Sequence, residues 1–565
     1  MVFWRSKEPE KVDETKDIPA PSRGVEVTEE HAEDAEMLEF DALHKEASTV
    51  DYAYQRKVFI FHKVLNEHIG MTAWQWGLLC VCGVGWLLDN VWLQYVAMIL
   101  PQIELEFDLE HSSHSAFMTL SLFAGLTVGA AVWGVLADIV GRRFSFNMTL
   151  FIAGVFGVAA GGATNFVALG GLVGALGFGL GGSLPVDGML FLEFIPGTHQ
   201  FLLAFMSVFW PLGQLLVSLV GWGLIYNYSA SCKAPHCAEQ VGLNGQHWLN
   251  GNHGWRYLGF AMGGLTLLCF VVRFFVFRMP ESPKFLLSKG RDAEAVVALH
   301  RFARMCGREL SDDVVSVAIL RSAAGEDGRM DEQDEHVEEP KGMIASMKHS
   351  LRSMAHNARS IKFGNSLSHI RPLFSSFSMG YTVTMIWLLW GFIGLGYPLF
   401  TAFLPLLLSQ SSPNETYRNY AITSVCGVPG SILSAALVEV PHSGRRGALA
   451  IGTLLTGIFL FTISGLGDDH HTAVFALECV TTFTQNIVYG VLYCYTPEAF
   501  PAPYRGTGDG VSSSLNRLFG LMAPIISIYS GNQGKIPFYV AGALYIASAI
   551  LAVTVRVETS KRTAM

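Results

Sequence analysis

Long apolar runs alternate with short polar stretches over most of the chain, from residue 77 to residue 556. A helix needs about 20 consecutive apolar residues to cross the hydrocarbon core of a bilayer, and each run reaches roughly that length. The pattern therefore predicts an all-α membrane protein with twelve transmembrane helices. The twelve runs lie at 77–99, 115–137, 144–163, 166–190, 201–225, 257–277, 379–408, 419–440, 447–466, 472–494, 508–530 and 536–556.

A long polar stretch divides these runs into two sets of six, so we expect two six-helix halves. The N-terminal half covers 74–277 and the C-terminal half covers 379–556, with a cytoplasmic loop over 278–378 between them. The remaining segments, 1–73 and 557–565, are polar, and the first lacks the apolar core of a signal peptide. We expect both to be cytoplasmic tails and the first to be mostly disordered.

Three short segments outside the runs have patterns of their own. A helix is expected near 55–68, lying against the membrane, and an amphipathic helix is expected at 292–301 in the central loop. The stretch 325–340 is acidic, so we expect it to be solvated and unstructured.

Basic residues collect at one end of the predicted bundle. The loops at the other end lack them: residues 100–114 contain four carboxylates and no Lys or Arg. By the positive-inside rule the basic end is cytoplasmic, which places both termini inside and the loop 226–255 outside, and we expect the plasma membrane. The basic residues in short loops are Arg142 and Arg143 after run two, Arg445 and Arg446 after run eight, and Arg505 after run ten.

Charge is depleted in this chain. Only 15% of the residues are charged and 51% are hydrophobic, with a mean hydropathy of +0.36, whereas soluble proteins average about 25% charged residues. The net charge is -9, and no basic cluster lies beside aromatic residues in a polar segment, so no nucleic-acid partner is expected. The expected partners are a small-molecule solute and the lipid bilayer, with protons left open, and we expect a monomer.

Several motifs of other protein classes are missing or misleading. Residues 177–182 match the G-x-G-x-x-G of dinucleotide sites, but they lie inside run four, so we interpret these glycines as helix-packing positions. No phosphate-binding loop, metal-ligand spacing or nucleophile–base set occurs, so we predict neither an enzyme nor a cofactor. Cys232 and Cys237 fall in a polar loop expected outside, and whether they form a disulfide stays open.

A short charged motif follows run two and returns in altered form after run eight. In the first copy Gly134 and Asp138 precede the glycine and the two arginines, whereas in the second the acidic residue, Glu439, lies further away. Related halves of this kind are typical of secondary transporters. The matching positions are Gly141, Arg142 and Arg143 with Gly444, Arg445 and Arg446, and Glu193 with Glu498.

The charged residues at the basic end form a candidate latch. In a protein that alternates between two states, contacts made in only one state stabilise that state. The alternative is a set of solvated surface pairs, worth about 0–1 kcal/mol each. The candidate latch residues are Gly134, Asp138, Gly141, Arg142, Arg143, Glu193 and Glu281 in the first half, and Arg445, Arg446, Glu498 and Arg505 in the second.

Ionisable side chains at membrane depth are costly to bury and mark functional sites. Asp89 lies in the middle of run one and Asp187 in run four, while Arg517 in run eleven is the only arginine we find well inside an apolar run. The alternative is that these residues form satisfied structural pairs. With polar neighbours on runs one and ten, the candidate solute and coupling residues are Asp89, Asn90, Gln94, Asp187, Gln485, Asn486, Tyr489 and Arg517.

The motif G-x-x-x-D-x-x-G-R-R, from Gly134 to Arg143, resembles the loop between helices two and three of the major facilitator superfamily. The sequence Pro-Glu-Ser-Pro at 280–283 resembles the sugar-porter branch of that family. The resemblance implies the major facilitator fold, with two pseudo-symmetric halves and a cavity lined by runs one, four, seven and ten, with run eleven beside it. It also implies small cytoplasmic helices in the central loop and favours the latch.

Other motifs narrow the resemblance to the synaptic-vesicle-two-related transporters. These are Glu-Phe-Ile-Pro from Glu193, Tyr-Thr-Pro-Glu-Ala-Phe-Pro from Tyr495, and the pair Asn516-Arg517. Two positions depart from that group. Val173 stands where an arginine is frequent, and Gln200 stands where a basic residue is frequent. The first departure puts the usual proton-coupling arginine in doubt.

The expected function is secondary active transport of a small organic solute by alternating access. Arg517 favours an anionic or carboxylate-bearing solute, because a guanidinium binds a carboxylate through two hydrogen bonds. Asp89 is the candidate for proton coupling, since burial favours the protonated form of a carboxyl group. The alternatives are a cation attracted by Asp89 and Asp187, a sugar bound by amide side chains, and a non-transporting receptor or structural membrane protein on the same fold.

Overall fold

The computed structural model describes residues 52–107, 116–229, 252–277, 279–325, 371–374, 376–408, 413–440, 444–466, 471–500, 504–529 and 536–555. These ranges are helical and contain no β-strand, and every predicted apolar run coincides with helix, so the all-α prediction is confirmed. Residues 1–51 and 556–565, most of the acidic stretch 325–340, and the two cysteines at 232 and 237 lie outside the described residues.

The first half begins after an amphipathic helix, α1, which spans Tyr52–Lys63 and continues as a π-helical turn over Val64–Ile69. Run four is broken at Gly182 and run five starts with short turns, so each of these runs contains more than one helix. The helices of this half are α2 (Ala73–Glu106), α3 (Ala116–Ile139), α4 (Arg142–Gly161), α5 (Phe166–Gly181), α6 (Ser183–Phe194), α7 (Leu202–Phe205), α8 (Phe209–Tyr228) and α9 (Gly254–Val271), which ends in a π-helical turn over Val272–Val276.

Three short helices occupy the central segment, as the family resemblance implied: α10 (Pro283–Ser288), α11 (Asp292–Met305) and α12 (Val317–Ala324). The side chains of Ser282 and Ser316 accept backbone N–H groups at the starts of α10 and α12, which fixes where these helices begin. The second half consists of α13 (Phe377–Leu408), α14 (Pro413–Val438), α15 (Gly444–Gly465), α16 (His471–Ala499), α17 (Arg505–Gly520), α18 (Met522–Tyr529) and α19 (Ile536–Thr554).

Ten helical segments in the described part of the chain are long and apolar enough to cross a membrane. The two predicted spans that fall short are run ten, which forms α16, and run eleven, which is divided between α17 and α18. Most polar residues of α17 are buried in the protein. A helix surrounded by other helices needs no apolar surface toward lipid, so the polarity of α17 does not exclude a position inside the bundle.

The two halves repeat one packing pattern. In the first half α3 packs on α5 and α4 packs on α9, and in the second half the corresponding contacts join α14 to α16 and α15 to α19. The halves meet along two equivalent seams, α3 against α17 and α8 against α14. This arrangement agrees with two related six-helix halves and puts the space between them at the centre of the molecule.

The glycines at 177–182 pack helices against each other, which confirms the interpretation of that motif. A Cβ atom at Gly177 would lie 2.6 Å from the carbonyl oxygen of Leu122 on α3. At Gly181 it would lie 2.3 Å from the carbonyl oxygen of Leu126. Side chains at these positions would force α3 and α5 apart.

Helix α1 packs against α10 and α12, and we call these helices together with α11 the cap. The apolar face of α1, including Phe61, is buried in one cluster with Phe302 and Leu320. Lys57 Nζ also lies 2.7 Å from the Asp292 carboxylate. The amphipathic loop helices therefore cover the apolar face of α1, and its expected position against the membrane stays a prediction.

Candidate functional site

A small cavity lies between the two halves. Its walls come from α2, α3 and α8 of the first half and from α13, α16 and α17 of the second. Because both halves line the cavity, a movement of one half against the other changes both its shape and its access. Four of the candidate residues line it: Asp89, Asn90, Tyr489 and Arg517.

Asp89 and Arg517 form an ion pair in this cavity. Arg517 Nη2 lies 3.1 and 3.3 Å from the two carboxylate oxygens, and the two residues are only 1% and 4% exposed. Asp89 belongs to α2 and Arg517 to α17, so the pair joins the two halves. Arg517 Nε is buried without a hydrogen-bond partner in the described part of the chain, which leaves one N–H donor for a ligand.

A second polar contact crosses the cavity beside this pair. The side-chain amide of Gln214, on α8, donates to Asn90 Oδ1 and to the Tyr397 hydroxyl, both at 3.0 Å. Tyr397 lies on α13, so this bridge also connects the halves. Sequence reasoning did not single out Gln214 or Tyr397, because neither carries a charge that stands out in an apolar run.

Aromatic rings form much of the remaining wall. Trp210 lies 4.9 Å from Tyr489 and 5.0 Å from Tyr493, measured between ring centroids. Trp86 and Trp390 contact the same Tyr493 ring at 5.0 and 4.6 Å. The sequence contained no signal for this cluster, because its rings come from four separate helices and each ring alone is an ordinary membrane residue.

The other four candidates lie away from the cavity wall. Gln94 is half-buried further along α2. Gln485 faces Tyr545 of α19, while the Asn486 side chain lies 3.4 Å from the Ser431 hydroxyl of α14. The fourth candidate, Asp187, belongs to a separate ion pair.

Asp187 pairs with Arg273 at 2.7 Å, near the latch end of the first half. Arg273 is 2% exposed, lies 3.2 Å from the ring centroid of Phe146 and donates to the Phe146 carbonyl oxygen. Arg273 is thus a second buried arginine within an apolar run, although it lies nearer the end of its run than Arg517 does. Gly85 leaves room for this pair, since a Cβ atom there would lie 1.8 Å from the carboxylate.

The latch of the first half is centred on Arg142. Its guanidinium lies 3.1 Å from Asp138 and 3.2 Å from Glu193, and all three side chains are almost fully buried. Glu281 accepts the backbone N–H of Arg142 at 2.8 Å and that of Arg143 at 3.3 Å. The structure thus brings these five candidate residues together as a buried network, unlike solvated surface pairs.

The backbone at Gly141 explains why the turn requires glycine. Its φ of +129° and ψ of 155° are accessible essentially only to glycine. A Cβ atom there would also lie 2.6 Å from the Glu281 carboxylate. Burial raises the pKa of Glu281, and the backbone donors of Ser282 and Arg142 oppose that rise.

Asp138 extends the latch across to the second half. One of its carboxylate oxygens accepts the Thr507 backbone N–H at 2.7 Å and the Thr507 hydroxyl at 2.8 Å. Beside this contact, a Cβ atom at Gly134 would lie 2.8 Å from the backbone of Gly510, so small residues let α3 and α17 meet. Arg505 is completely buried nearby.

The second half repeats the latch in a looser form. Arg445 lies 3.1 Å from the buried Glu498 and 3.5 Å from Glu439, whose side chain is 56% exposed. Arg446 instead donates to the Val553 carbonyl oxygen at 2.7 Å. Gly444 also has a positive φ, +54°, which the left-handed helical region allows.

Residues 78–524 match the family model of the Major Facilitator Superfamily. The chain belongs to that superfamily. Its members move small solutes across membranes, and this chain is an integral, multi-pass membrane protein of that kind.

Individual relatives match this chain over most of its length. An MFS siderochrome iron transporter of Ceriporiopsis subvermispora is 40% identical over 551 residues, which cover 94% of this chain and 98% of the relative. The niacin transporter NiaP of Acinetobacter baylyi is 27% identical over 81% of this chain and 88% of its own length. The proton:xylose symporter XylE, solved with 6-bromo-6-deoxy-D-glucose, superposes with a TM-score of 0.63 at 17% identity, over 87% of this chain and 98% of that chain. That likeness concerns the fold alone.

Proposed function

We propose that this protein is a secondary active transporter of a small organic anion, with a carboxylate as the preferred charged group, and that transport is coupled to protons. The observation that carries the proposal is the ion pair between Asp89 and Arg517, buried in the cavity between the halves. The pair gives the solute a cation to bind and the proton a carboxylate to bind.

Proton binding and solute binding influence each other through the Asp89–Arg517 pair. When Asp89 takes up a proton, its charge is lost and its hold on Arg517 weakens. The Arg517 guanidinium, which already has a free Nε donor, then binds the solute carboxylate through two hydrogen bonds. Because Arg517 would otherwise stay buried without an anion, proton binding and solute binding favour each other.

The aromatic wall fits a solute with a planar ring. Trp210, Tyr489 and Tyr493 offer ring edges and faces around the ion pair. Aromatic pairs prefer edge-to-face or offset geometry, which an inserted ring can adopt. Among the relatives, the niacin transporter is named for a pyridine carboxylate, the kind of solute that such a cavity would take.

The proposal is tested in proteoliposomes with labelled nicotinate and other aromatic carboxylates. We expect the wild type to accumulate the solute only when a proton gradient is imposed. Asp89→Asn should lose accumulation and keep exchange of internal for external solute, whereas Arg517→Ala should lose both. Full accumulation by Asp89→Asn would remove Asp89 from the coupling, and unchanged uptake by Arg517→Ala would remove the anion preference.

A cationic solute is the second candidate, and the aromatic rings around Asp89 favour it. Cations bind aromatic faces, and Asp89 would supply the charge. In that case a labelled aromatic amine would be transported in place of the carboxylate, and Arg517→Ala would keep uptake. A sugar, or a receptor without transport, would give no charge-dependent uptake at all.

We further propose that the latch lies on the cytoplasmic side of the plasma membrane, with both termini and the loop 278–378 inside. The support is the concentration of arginine at that end and its near absence from 100–114. Protease added to intact cells should leave the 278–378 loop uncut and should cut it after permeabilisation. Cleavage in intact cells would reverse this orientation.

A further inference from the structure

One buried carboxylate takes no part in the transport cycle described above. Glu478 lies on α16 and is 1% exposed. Tyr489, which lines the cavity, follows eleven residues later on the same helix. At 1.5 Å per residue this is about 16 Å and close to three helical turns, so both residues lie on one face of α16. Glu478 is therefore nearer the end of the bundle opposite the latch.

Among the residues that the structure describes, the surroundings of Glu478 supply one hydrogen bond and no ion-pair partner. The Thr423 hydroxyl, on α14, donates to Glu478 Oε1 at 2.9 Å. Oε2 is buried and has no hydrogen-bond partner in the part of the chain that the structure describes. The titratable groups that face it are Tyr420 on α14 and Cys479 on α16, with Cys426 of α14 beyond Cys479.

Three other buried carboxylates of the helix bundle differ in this respect. Asp89 has Arg517, Asp187 has Arg273, and Glu106 has Arg256 within ion-pair distance. An ionised carboxylate without a cation is far too costly in a protein interior and takes up a proton instead. A protonated Glu478 also fits these contacts, because Oε1 accepts the hydrogen of the Thr423 hydroxyl while Oε2 carries the proton.

We propose that Glu478 is a second proton site of this transporter, distinct from the Asp89–Arg517 pair. It holds a proton on Oε2 in the latch-closed state described here, and it exchanges that proton with the solution at the end opposite the latch during the cycle. The proton adds to the carboxylate and leaves as a proton, so no oxidant or further reactant is needed. The coupling role rests on the proposed transport function, whereas proton occupancy does not.

Occupancy is tested by infrared spectroscopy of the purified full chain at neutral pH. A protonated carboxyl group has a carbonyl band of its own, separate from carboxylate and amide bands, that shifts in heavy water. We expect the difference spectrum between the wild type and Glu478→Gln to contain this band and the difference spectrum between the wild type and the control Asp89→Asn to lack it. A Glu478→Gln spectrum identical to that of the wild type in this region overturns the proposal.

Thermal melting and a second variant, Thr423→Val, distinguish loss of the carboxyl group from misfolding. Glu478→Gln keeps the oxygen that accepts from Thr423, so the fold should be retained, and thermal melting checks this. Thr423→Val removes the donor but leaves the carboxyl group, so we expect the band to remain and to move to higher frequency. An unmoved band would mean that the assigned carboxyl group is not Glu478.

Coupling is tested in the proteoliposome assay. Glu478→Gln mimics a permanently protonated side chain, so we expect proton-driven accumulation to fall at least tenfold while solute exchange is retained. Loss of the band together with full accumulation would leave a bound proton without coupling and would contradict that part of the proposal. If no solute is transported even by the wild type, the function proposed above fails, while the infrared result still decides on the proton site.

Discussion

Arg142 and Arg445 occupy equivalent places in the two halves, yet their surroundings differ. Arg142 pairs with two carboxylates that are almost completely buried, Asp138 and Glu193. Arg445 pairs with the buried Glu498 and with Glu439, which is more than half exposed. Asp138 in addition bonds to the other half. Two copies of one motif have thus become a tight cross-half contact and a looser contact within the second half.

Because of this difference, we expect the two latches to have different roles. Exposed ion pairs contribute about 0–1 kcal/mol, whereas removing one partner of a buried pair costs about 3–5 kcal/mol. Only contacts that break, or buried charges that become solvated, when the halves separate can bias the conformational equilibrium, and Asp138 lies at that boundary because it bonds to Thr507. We therefore expect the Arg142 latch to control which state is populated and the Arg445 latch mainly to stabilise its own half.

The largest expected effect is that of Arg142→Ala. It leaves Asp138 and Glu193 buried without their cation, so the latch-closed state should lose about 3–5 kcal/mol, a hundredfold or greater shift in population. Distances between spin labels at the latch ends of α3 and α17 measure the shift. Arg445→Ala is the matched control, and an equal shift in both variants would remove the difference between the halves.

Asp138→Asn is expected to have the next largest effect. The amide oxygen can still accept from Thr507, but the charge that pairs with Arg142 is gone. Glu439→Gln in the second half should change little, because that side chain is exposed to solvent. The same label distances provide the measurement. A stronger effect of Glu439→Gln than of Asp138→Asn would contradict the assignment.

Gly141→Ala and Gly444→Ala compare the two turns themselves. Alanine at Gly141 would have to adopt a φ of +129° and would meet Glu281, whereas the +54° of Gly444 is open to other residues. We expect a loss of about 1–3 kcal/mol at Gly141 and about 1 kcal/mol at Gly444. Thermal unfolding of the two purified variants checks the order, and a reversed order would be evidence against the described backbone.

The smallest expected effect is on the pH dependence of stability, and it concerns the cap, which has no counterpart in the second half among the described residues. Burial, helped by Arg505, lowers the pKa of Lys284 in the cap to about 7, and its Nζ lies 3.0 Å from His62 Nε2. An unfolded lysine keeps its proton up to about pH 10. Between about pH 7 and pH 10 the unfolded chain therefore binds the additional proton, and stability rises with pH.

Lys284→Met should flatten this rise in melting temperature between about pH 7 and pH 9. Lys289 lies at an exposed position just after α10, and burial lowers its pKa less than that of Lys284. Lys289→Met is therefore the control and should reduce the slope less. If both variants retain the slope of the wild type, Lys284 does not cause the pH dependence of the cap.

Sequence patterns predicted individual helices and charged residues better than they predicted which of them contact each other. Asp89 and Arg517 were found because a lone charge stands out in an apolar run. Their contact joins residues 428 positions apart, and hydrophobic periodicity carries no information about which helices meet. For the same reason the aromatic wall of the cavity could not be anticipated.

Two charged residues that the sequence analysis missed lie near the ends of runs. Arg273 lies four residues before the end of run six, and Glu478 lies six residues after the start of run ten. Charges near a run's end are ordinary at a membrane interface, so neither stood out. Only the packing of neighbouring helices buries them. Conversely, Gln485 and Asn486 lie on a predicted helix but face other helices instead of the cavity.

The most direct test of the account is the binding of matched solutes that differ only in charge. Nicotinate, nicotinamide and 3-(aminomethyl)pyridine share one ring, and binding to the native state raises the melting temperature of the purified protein. We predict that only nicotinate stabilises the wild type, more strongly at acidic pH, and that Arg517→Ala abolishes the effect. Equal stabilisation by nicotinamide, or stabilisation by the amine that survives Arg517→Ala, would contradict the claim that the solute's carboxylate binds Arg517 in place of Asp89.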